Sequence, residues 1–276
     1  MASVINTNFA SLNTQNNLTK SQGALQTSIQ RLSSGMRVNS AKDDAAGFGI
    51  TSRMESTIRG QQVAIRNAND GISYSQTAEG ALSKITDNLQ RMRELAVQSN
   101  NGTNKDTDKD SLNEEFKLLQ AEITRVTDGT KFNDNAVFNG TDPVTIQIGS
   151  GTSSEDTIDI AAIDLSGDTA TAADDASTDI SSTGDAAAAI DAIDLALKEV
   201  NTESVKQGAY QNRFASVISN LQTSNENQTA AQSRIRDTDY ASETANLAKN
   251  QILQQAGMAM LAQANQLPNG VMALLR

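Results

Sequence analysis

The feature that most limits what this chain can build is a helical pattern of unusual length, from about residue 44 to residue 99. Ile58, Ile65 and Ile72 fall seven apart, and Leu82, Ile85, Leu89, Met92 and Ala96 continue at intervals of three and four. That periodicity places them on one face of an α-helix. A continuous helix over this span would be roughly 80 Å long at about 1.5 Å per residue. A compact globule of the same chain length would be only about 50 Å across. The pattern predicts a mainly α molecule, elongated rather than round, in which helices run antiparallel as a bundle or coiled coil.

The flanking segments continue the theme. Over residues 4–36, Leu18, Leu25 and Leu32 repeat at seven, Ile29 follows Leu25 by four, and Ile5, Phe9 and Leu12 extend the stripe upstream. Gly35 reads as the stop. Ser111, with Glu114 three residues later as a capping box, reads as the start of another helix that ends near Asp128 and Gly129. Helix resumes at about residue 185, with Ile190, Ile193, Leu197 and Val200 on one face, and continues with interruptions. In the stretch "QILQQAGMAMLAQANQLPNGVMALLR", Leu253, Met260, Leu267 and Leu274 fall seven apart, and Gly257, Ala264 and Val271 follow the first three by four. Pro268 is expected to kink or restart that helix. The tail stripe has to be buried, and the helix of residues 4–36 is the expected partner. Both stripes are narrow and rich in small residues, and an isolated pair of this kind is marginal in water. The ends are therefore expected to become stable only against other copies. A head-to-tail contact that does not close on itself gives an open helical filament.

Between these helices the character changes. "VTIQI" (144–148) and "TIDI" (157–160) alternate apolar and polar residues across the Gly/Ser-rich "GSGTSSE", which predicts a β-hairpin. Residues 166–185 are mostly Asp, Ala, Ser and Thr and read as a loop or a weakly ordered stretch.

Composition closes several chemistries. The chain has no cysteine and no histidine. That removes disulfide and thiolate chemistry, the Ser-His-Asp triad, histidine-ligated zinc and the commonest general base. No nucleophile–base pair, metal cluster or nucleotide loop stands out ("GFGIT" at 47–51 lacks the strand and spacing of one), so no cofactor is expected and the reading is not an enzyme. The net charge of −11 is unevenly spread: residues 142–199 hold thirteen acids and one base, Lys198, and so carry −12. These acids lack the ligand order of a calcium loop and read as a solvated outer face. No basic patch with interleaved aromatics invites nucleic acid. No apolar run is long enough for a membrane span, and "MASVINTNFASLN" does not have the build of a secretory signal peptide.

Several long stretches resemble one family. "NTQNNLTKSQGALQTSIQRLSSGMRVNSAKDDAAG" is similar to the amino-terminal signature of bacterial flagellin. "NRFASVISNLQ" and "RIRDTDYASETANLAKNQILQQAGMAMLAQANQLPNGVMALLR" are similar to its carboxyl-terminal signature, while "NANDGISYSQTAEGAL" and "LQRMRELAVQSNNGT" resemble the stretches between. The resemblance covers residues 1–140 and 185–276. It implies an inner coiled-coil domain formed by residues 1–44 with 237–276, and a second domain over 45–236 that includes the hairpin and acidic loop at about 138–184. The large variable outer domain of many relatives is missing, which implies a smooth, slim filament. The resemblance further implies termini that fold on assembly, export unfolded through the flagellum's own type III channel, and an extracellular filament for motility. The implied partners are other copies of the chain, the filament cap, the hook–filament junction proteins and an export chaperone at the carboxyl-terminal region.

Two sets of site residues follow. The polymerisation seam is expected at Leu18, Leu25, Ile29 and Leu32 with Leu253, Met260, Leu267 and Leu274. The second lies in "LQRMRELAVQ" (89–98). The resemblance makes Arg91, Leu95, Gln98 and Glu115 a surface for the neighbouring subunit and for Toll-like receptor 5. Arg91 and Leu95, four apart, would offer a charged fork beside an apolar knob; spacing alone favours Leu95 as core and Arg91 as a solvated helix charge, and the resemblance reverses that. Met92 stands where the family usually has valine. Two alternatives to a filament subunit are a hook–filament junction protein, which shares the terminal architecture, and a secreted helical binding module with ordered ends.

Overall fold

The computed structural model describes residues 7–138, 140, 142–173 and 178–274, with side chains to residue 266. Its helices are α1 (Phe9–Ser34), α2 (Ala45–Ser99), α3 (Asp106–Gly129), the short α4 (Asp168–Ala173), α5 (Ala186–Arg236) and α6 (Tyr240–Leu274). Two small hairpins join them: β1 (Lys131–Phe132) with β2 (Asn135–Ala136), and β3 (Val144–Gln147) with β4 (Thr157–Ile160). The mainly α class, the long second helix and the paired terminal helices agree with the sequence pattern. The chain divides into two compact units, residues 1–58 with 226–276, and residues 59–225.

In the first unit, α1 begins at Asn8, whose Oδ1 accepts from the Ser11 amide at 3.1 Å, an N-cap bond. It ends on Gly35, whose φ of 71° is the left-handed C-cap conformation that glycine adopts without steric cost. α6 starts on Asp239, whose carboxylate accepts from the Ala241 amide at 3.0 Å. The segments beside these caps are clasped together. The Arg37 amide donates to the Arg236 carbonyl at 2.6 Å and the Thr238 amide to the Gly35 carbonyl at 3.0 Å. The Arg37 guanidinium also donates to the Ile235 carbonyl at 2.6 Å. α6 is a single element through Pro268, not a restarted helix.

In the second unit, α2, α3 and α5 close over one apolar core. Leu82, Ile85, Leu89, Met92 and Ala96 of α2 meet Phe116 and Ile123 of α3 and Ile193, Ala196, Val200 and Phe214 of α5. α2 and α5 run antiparallel, since Gly71 lies against Phe214 while Arg93 pairs with Asp194. A Cβ on Gly71 would stand 2.9 Å from the Phe214 ring, so glycine lets this aromatic sit on the helix.

The hairpin of residues 144–160 forms in the register Val144 opposite Ile160 and Gln147 opposite Thr157. Two expectations are corrected. α3 starts at Asp106 rather than Ser111, because the Asp108 carboxylate takes the Lys105 amide at 3.1 Å and Ser111 bonds back to the Thr107 carbonyl inside the helix. The 166–185 stretch is not a plain loop. It contains α4, and Ala172, Thr178 and Ile180 are buried, held by Gln120 Nε2, which donates to Thr178 Oγ1 at 2.7 Å. A hairpin absent from the sequence reading, β1–β2, turns through Asn133 and Asp134, both at positive φ. Asn and Asp tolerate that conformation better than other side chains, so "NDN" was the available signal.

Candidate subunit interfaces

α1 and α6 pack antiparallel, and four contacts fix the pairing. Asn8 Nδ2 donates to the Ala264 carbonyl at 2.8 Å, and Ser11 Oγ to Asn265 Oδ1 at 2.7 Å. Leu18 sits against Gly257, and Arg31 Nη1 lies 3.6 Å from the Glu243 carboxylate. On α1 the half-buried edge runs through Thr14, Leu18, Ser21, Leu25 and Leu32, with Ser11 and Ser28 fully buried. On α6 it runs through Glu243, Leu247, Asn250, Gln254, Gly257, Leu261 and Ala264. Half of this edge is polar or lacks a side chain, so little apolar area is removed from water.

The expected seam is only partly realised within one chain. Leu18, Leu25 and Leu32 lie on the contact edge, and Ile29 is exposed on its flank. Leu253 and Met260 do not face α1: they are 45% and 62% exposed. Each stands one residue before a position of the inner edge, Gln254 or Leu261, and one helical residue is a turn of about 100°. The side chains of Leu267 and Leu274, and all of Ile5, lie outside the described residues. Phe9, Leu12, Ile252 and Met258 are exposed as well. The terminal pair therefore carries large apolar side chains on faces that its own partner helix leaves bare.

The other candidate surface lies where α2 and α3 meet. Arg91 Nη2 stands 2.8 Å from Glu115 Oε1, and its Nη1 lies 2.9 Å from Glu94 Oε2. The hydrogen bond to Glu94 first, and then those to Glu115, make the guanidinium harder to deprotonate than a free arginine. Gln98, seven residues on and exposed, shares that helix face, while its carbonyl accepts from Asn104 Nδ2 at 2.6 Å. Arg93 forms a separate pair, its Nε donating to Asp194 Oδ1 at 2.7 Å.

Leu95 is a correction. It is 1% exposed and belongs to the core, where it extends the stripe of Leu89 and Met92, so it offers no apolar knob at the surface. The structure brings Arg91 and Glu115 together, leaves Gln98 two turns along the same face of α2, and buries Leu95 in the core. Glu94 completes the polar cluster and was missed; an acid three residues after an arginine was the signal.

The acids of 142–199 act individually where they are described. Asp194 pairs with Arg93, Asp159 accepts from Thr145 Oγ1 at 2.6 Å, and Glu199 accepts from both the Thr169 amide and its hydroxyl at 2.6 Å. Among the described residues no helix is long and apolar enough to cross a membrane.

Comparison with known proteins decides what these surfaces belong to. The family model for the bacterial flagellin N-terminal helical region matches residues 5–142, and that for the flagellin C-terminal helical region matches residues 190–275. The chain belongs to the bacterial flagellin family. It is 46% identical over 275 residues to the flagellin of Halalkalibacterium halodurans, covering 99% of this chain and 100% of that one. It is 40% identical over 302 residues to the flagellin of Bacillus subtilis, covering 99% of each. Its structure is similar to that of Bacillus cereus flagellin, with a TM-score of 0.51 at 33% identity over 56% of this chain and 88% of that one. A Vibrio parahaemolyticus protein described as a putative flagellar hook-associated protein shares the fold, with a TM-score of 0.60 at 14% identity over 71% of this chain and 100% of that one.

As a flagellin, the chain is a structural subunit that polymerises into the flagellar filament, which lies outside the cell. Phe9, Leu12, Ile252 and Met260 stand exposed in the single chain, apolar surface of the kind that marks an interaction site.

Proposed function

We propose that this flagellin assembles by docking the bare apolar flanks of its α1–α6 pair against neighbouring copies. Residues 1–44 and 237–276 then serve as the inner domain, and 45–236 as the next one. Support comes from where the apolar side chains sit: Leu253 and Met260, on the most regular apolar stripe of α6, are exposed in the single chain. A half-polar intrachain edge adds little stability, so the ordering cost of both helices is met when copies cover the outer faces, and the termini fold on assembly.

The polar cluster of Arg91, Gln98 and Glu115 contributes a lateral contact between copies and, in a host, the surface met by Toll-like receptor 5. Its exposure and fixed geometry support both uses, with Leu95 acting from beneath as the support of the helix face. The chain leaves the cell through the flagellar type III channel with an export chaperone on its carboxyl-terminal region. It grows the filament under the cap and adjoins the hook–filament junction proteins, whose relationship is supported by the shared fold of the hook-associated protein. The motility filament is slim, because no large outer domain is inserted between the hairpins and α5.

The deciding experiment places charge on the flank: Leu253→Asp with Met260→Asp. Both positions already face water in the free chain, so its circular dichroism should match the parent. Polymerisation on seeds, viewed by electron microscopy, should be lost, since two carboxylates would be buried without partners. Normal filaments from this variant would overturn the proposal.

A further inference from the structure

With no cysteine and no tryptophan in the chain, its seven methionines are the side chains most open to peroxide-class oxidants. The fold does not expose them evenly. Met92 is fully buried in the core of residues 59–225, and Met36 and Met54 are half-buried. Met258 and Met260, on α6, are 52% and 62% exposed. They are the most exposed thioethers among the described residues.

Their place on the helix explains this. α1 covers the edge of α6 at Leu247, Gln254, Gly257, Leu261 and Ala264. Met260 stands seven residues after the 45% exposed Leu253, on an uncovered flank. Met258 lies about 200° round the helix from Met260, so the two sulfurs open on different sides of α6. Oxidation of a methionine turns an apolar thioether into a polar sulfoxide. In the free chain this changes little, because both side chains already face water. Under a neighbouring copy the sulfoxide oxygen would lose that water, and a polar group buried without a partner is heavily penalised.

We propose that Met258 and Met260 form a reversible oxidation site, at which peroxide-class oxidants convert the free subunit to a form that does not polymerise. This rests on the docking of copies through the outer sides of α6. In the step, the thioether sulfur attacks one peroxide oxygen, so that an S–O bond forms as the O–O bond breaks. Sulfur is oxidised; the departing hydroxide takes the proton of the transferred hydroxyl and leaves as water. A methionine sulfoxide reductase reverses the change, its thiols becoming a disulfide while the oxygen leaves as water. Subunits already in a filament have these sulfurs covered, so the sensitivity belongs to the free chain.

Limited hydrogen peroxide on the free chain, followed by peptide mapping, should place sulfoxide at Met258 and Met260 well before Met92, whether the terminal pair is folded or open. The denaturation midpoint of the 59–225 core should not move at that stage. Seeded polymerisation of this partly oxidised pool should then sort it, with sulfoxide at 258 and 260 about tenfold enriched in the unpolymerised chains over the filaments. Treating the unpolymerised chains with the reductase should return them to filaments. Peroxide should leave the critical concentration of M258L/M260L where it stood before treatment, although that variant keeps every other methionine. If M258L/M260L does not polymerise, the sorting in the parent chain decides. Oxidation of Met92 in step with the α6 pair, equal sulfoxide in filaments and free chains, or a peroxide-sensitive M258L/M260L would each overturn the proposal. The docking reading is separable. If L253D/M260D fails to polymerise while sulfoxide-bearing chains enter filaments, docking stands and the oxidation site falls. Normal filaments from L253D/M260D would remove docking through that flank, and the sorting by sulfoxide is read in the parent chain either way.

Discussion

The core of residues 59–225 and the terminal pair of α1 with α6 are built from the same helical periodicity and reach opposite results. In the core, Leu82, Ile85, Leu89, Phe116 and Phe214 have no measurable exposure, and the buried Gln120 among them donates through Nε2 to Thr178 Oγ1. In the terminal pair the buried side chains include Ser11, Ser28 and Glu243, while Phe9, Leu12, Ile252 and Met260 face water. A three-helix arrangement with hairpins surrounds each apolar stripe on several sides. Two helices alone can cover only one edge of each other. The first region encloses its apolar side chains within the single chain, and the second leaves large ones bare.

That contrast has measurable consequences. Phe214→Ala should cost about 3–5 kcal/mol of the stability of the 59–225 core, seen as a lower denaturant midpoint, because a fully buried aromatic leaves a cavity. Met260→Ala should leave the denaturation midpoint of the free chain within about 0.5 kcal/mol, yet raise the critical concentration for polymerisation. Equal destabilisation of the free chain by both substitutions would erase the distinction between the two regions. Gly71→Ala should cost about 1–3 kcal/mol, since its new methyl group meets the Phe214 ring and overpacks the core. Amide hydrogen exchange in the free chain should show residues 82–96 protected to the level of global unfolding and α1 and α6 exchanging far sooner. The smallest structural effect belongs to Arg91→Ala. An exposed ion pair contributes about 0–1 kcal/mol, so stability should barely change. Activation of Toll-like receptor 5 should nevertheless fall more than tenfold if the side chain is an anchor worth about 2 kcal/mol. An unchanged dose response would leave Arg91 as a surface charge alone.

The helices and the larger hairpin were legible in the sequence because their signals are local. Leu82 to Ala96 repeat at three and four, "VTIQI" and "TIDI" alternate, and Gly35 ends α1 by a conformation that few other residues accept. The start of α3 was misplaced because two acid-rich caps, at Asp108 and at Glu114, compete within one turn or two. The packing of Ala172, Thr178 and Ile180 was hidden because their partner Gln120 lies far away in the chain. At the candidate surfaces, Arg91, Gln98 and Glu115 were identified by family resemblance, whereas Leu95 was given a role that its burial forbids. Spacing alone had favoured the core, as an extension of the stripe of Leu89 and Met92, and the packing of α3 and α5 over that stripe places it there.

What the amino-acid order determined by itself is the inventory: long amphipathic helices, their caps and breaks, the hairpin, the absence of thiol and imidazole side chains, and membership of the family. Which side of α6 meets α1 was decided by the tertiary structure. A seven-residue repeat specifies a face only when one face is more apolar than the others, and on α6 apolar residues lie all round. The side that does meet α1 is seen only in contacts between residues more than two hundred positions apart, such as Arg31 with Glu243 and Asn8 with Ala264. No local pattern can encode them.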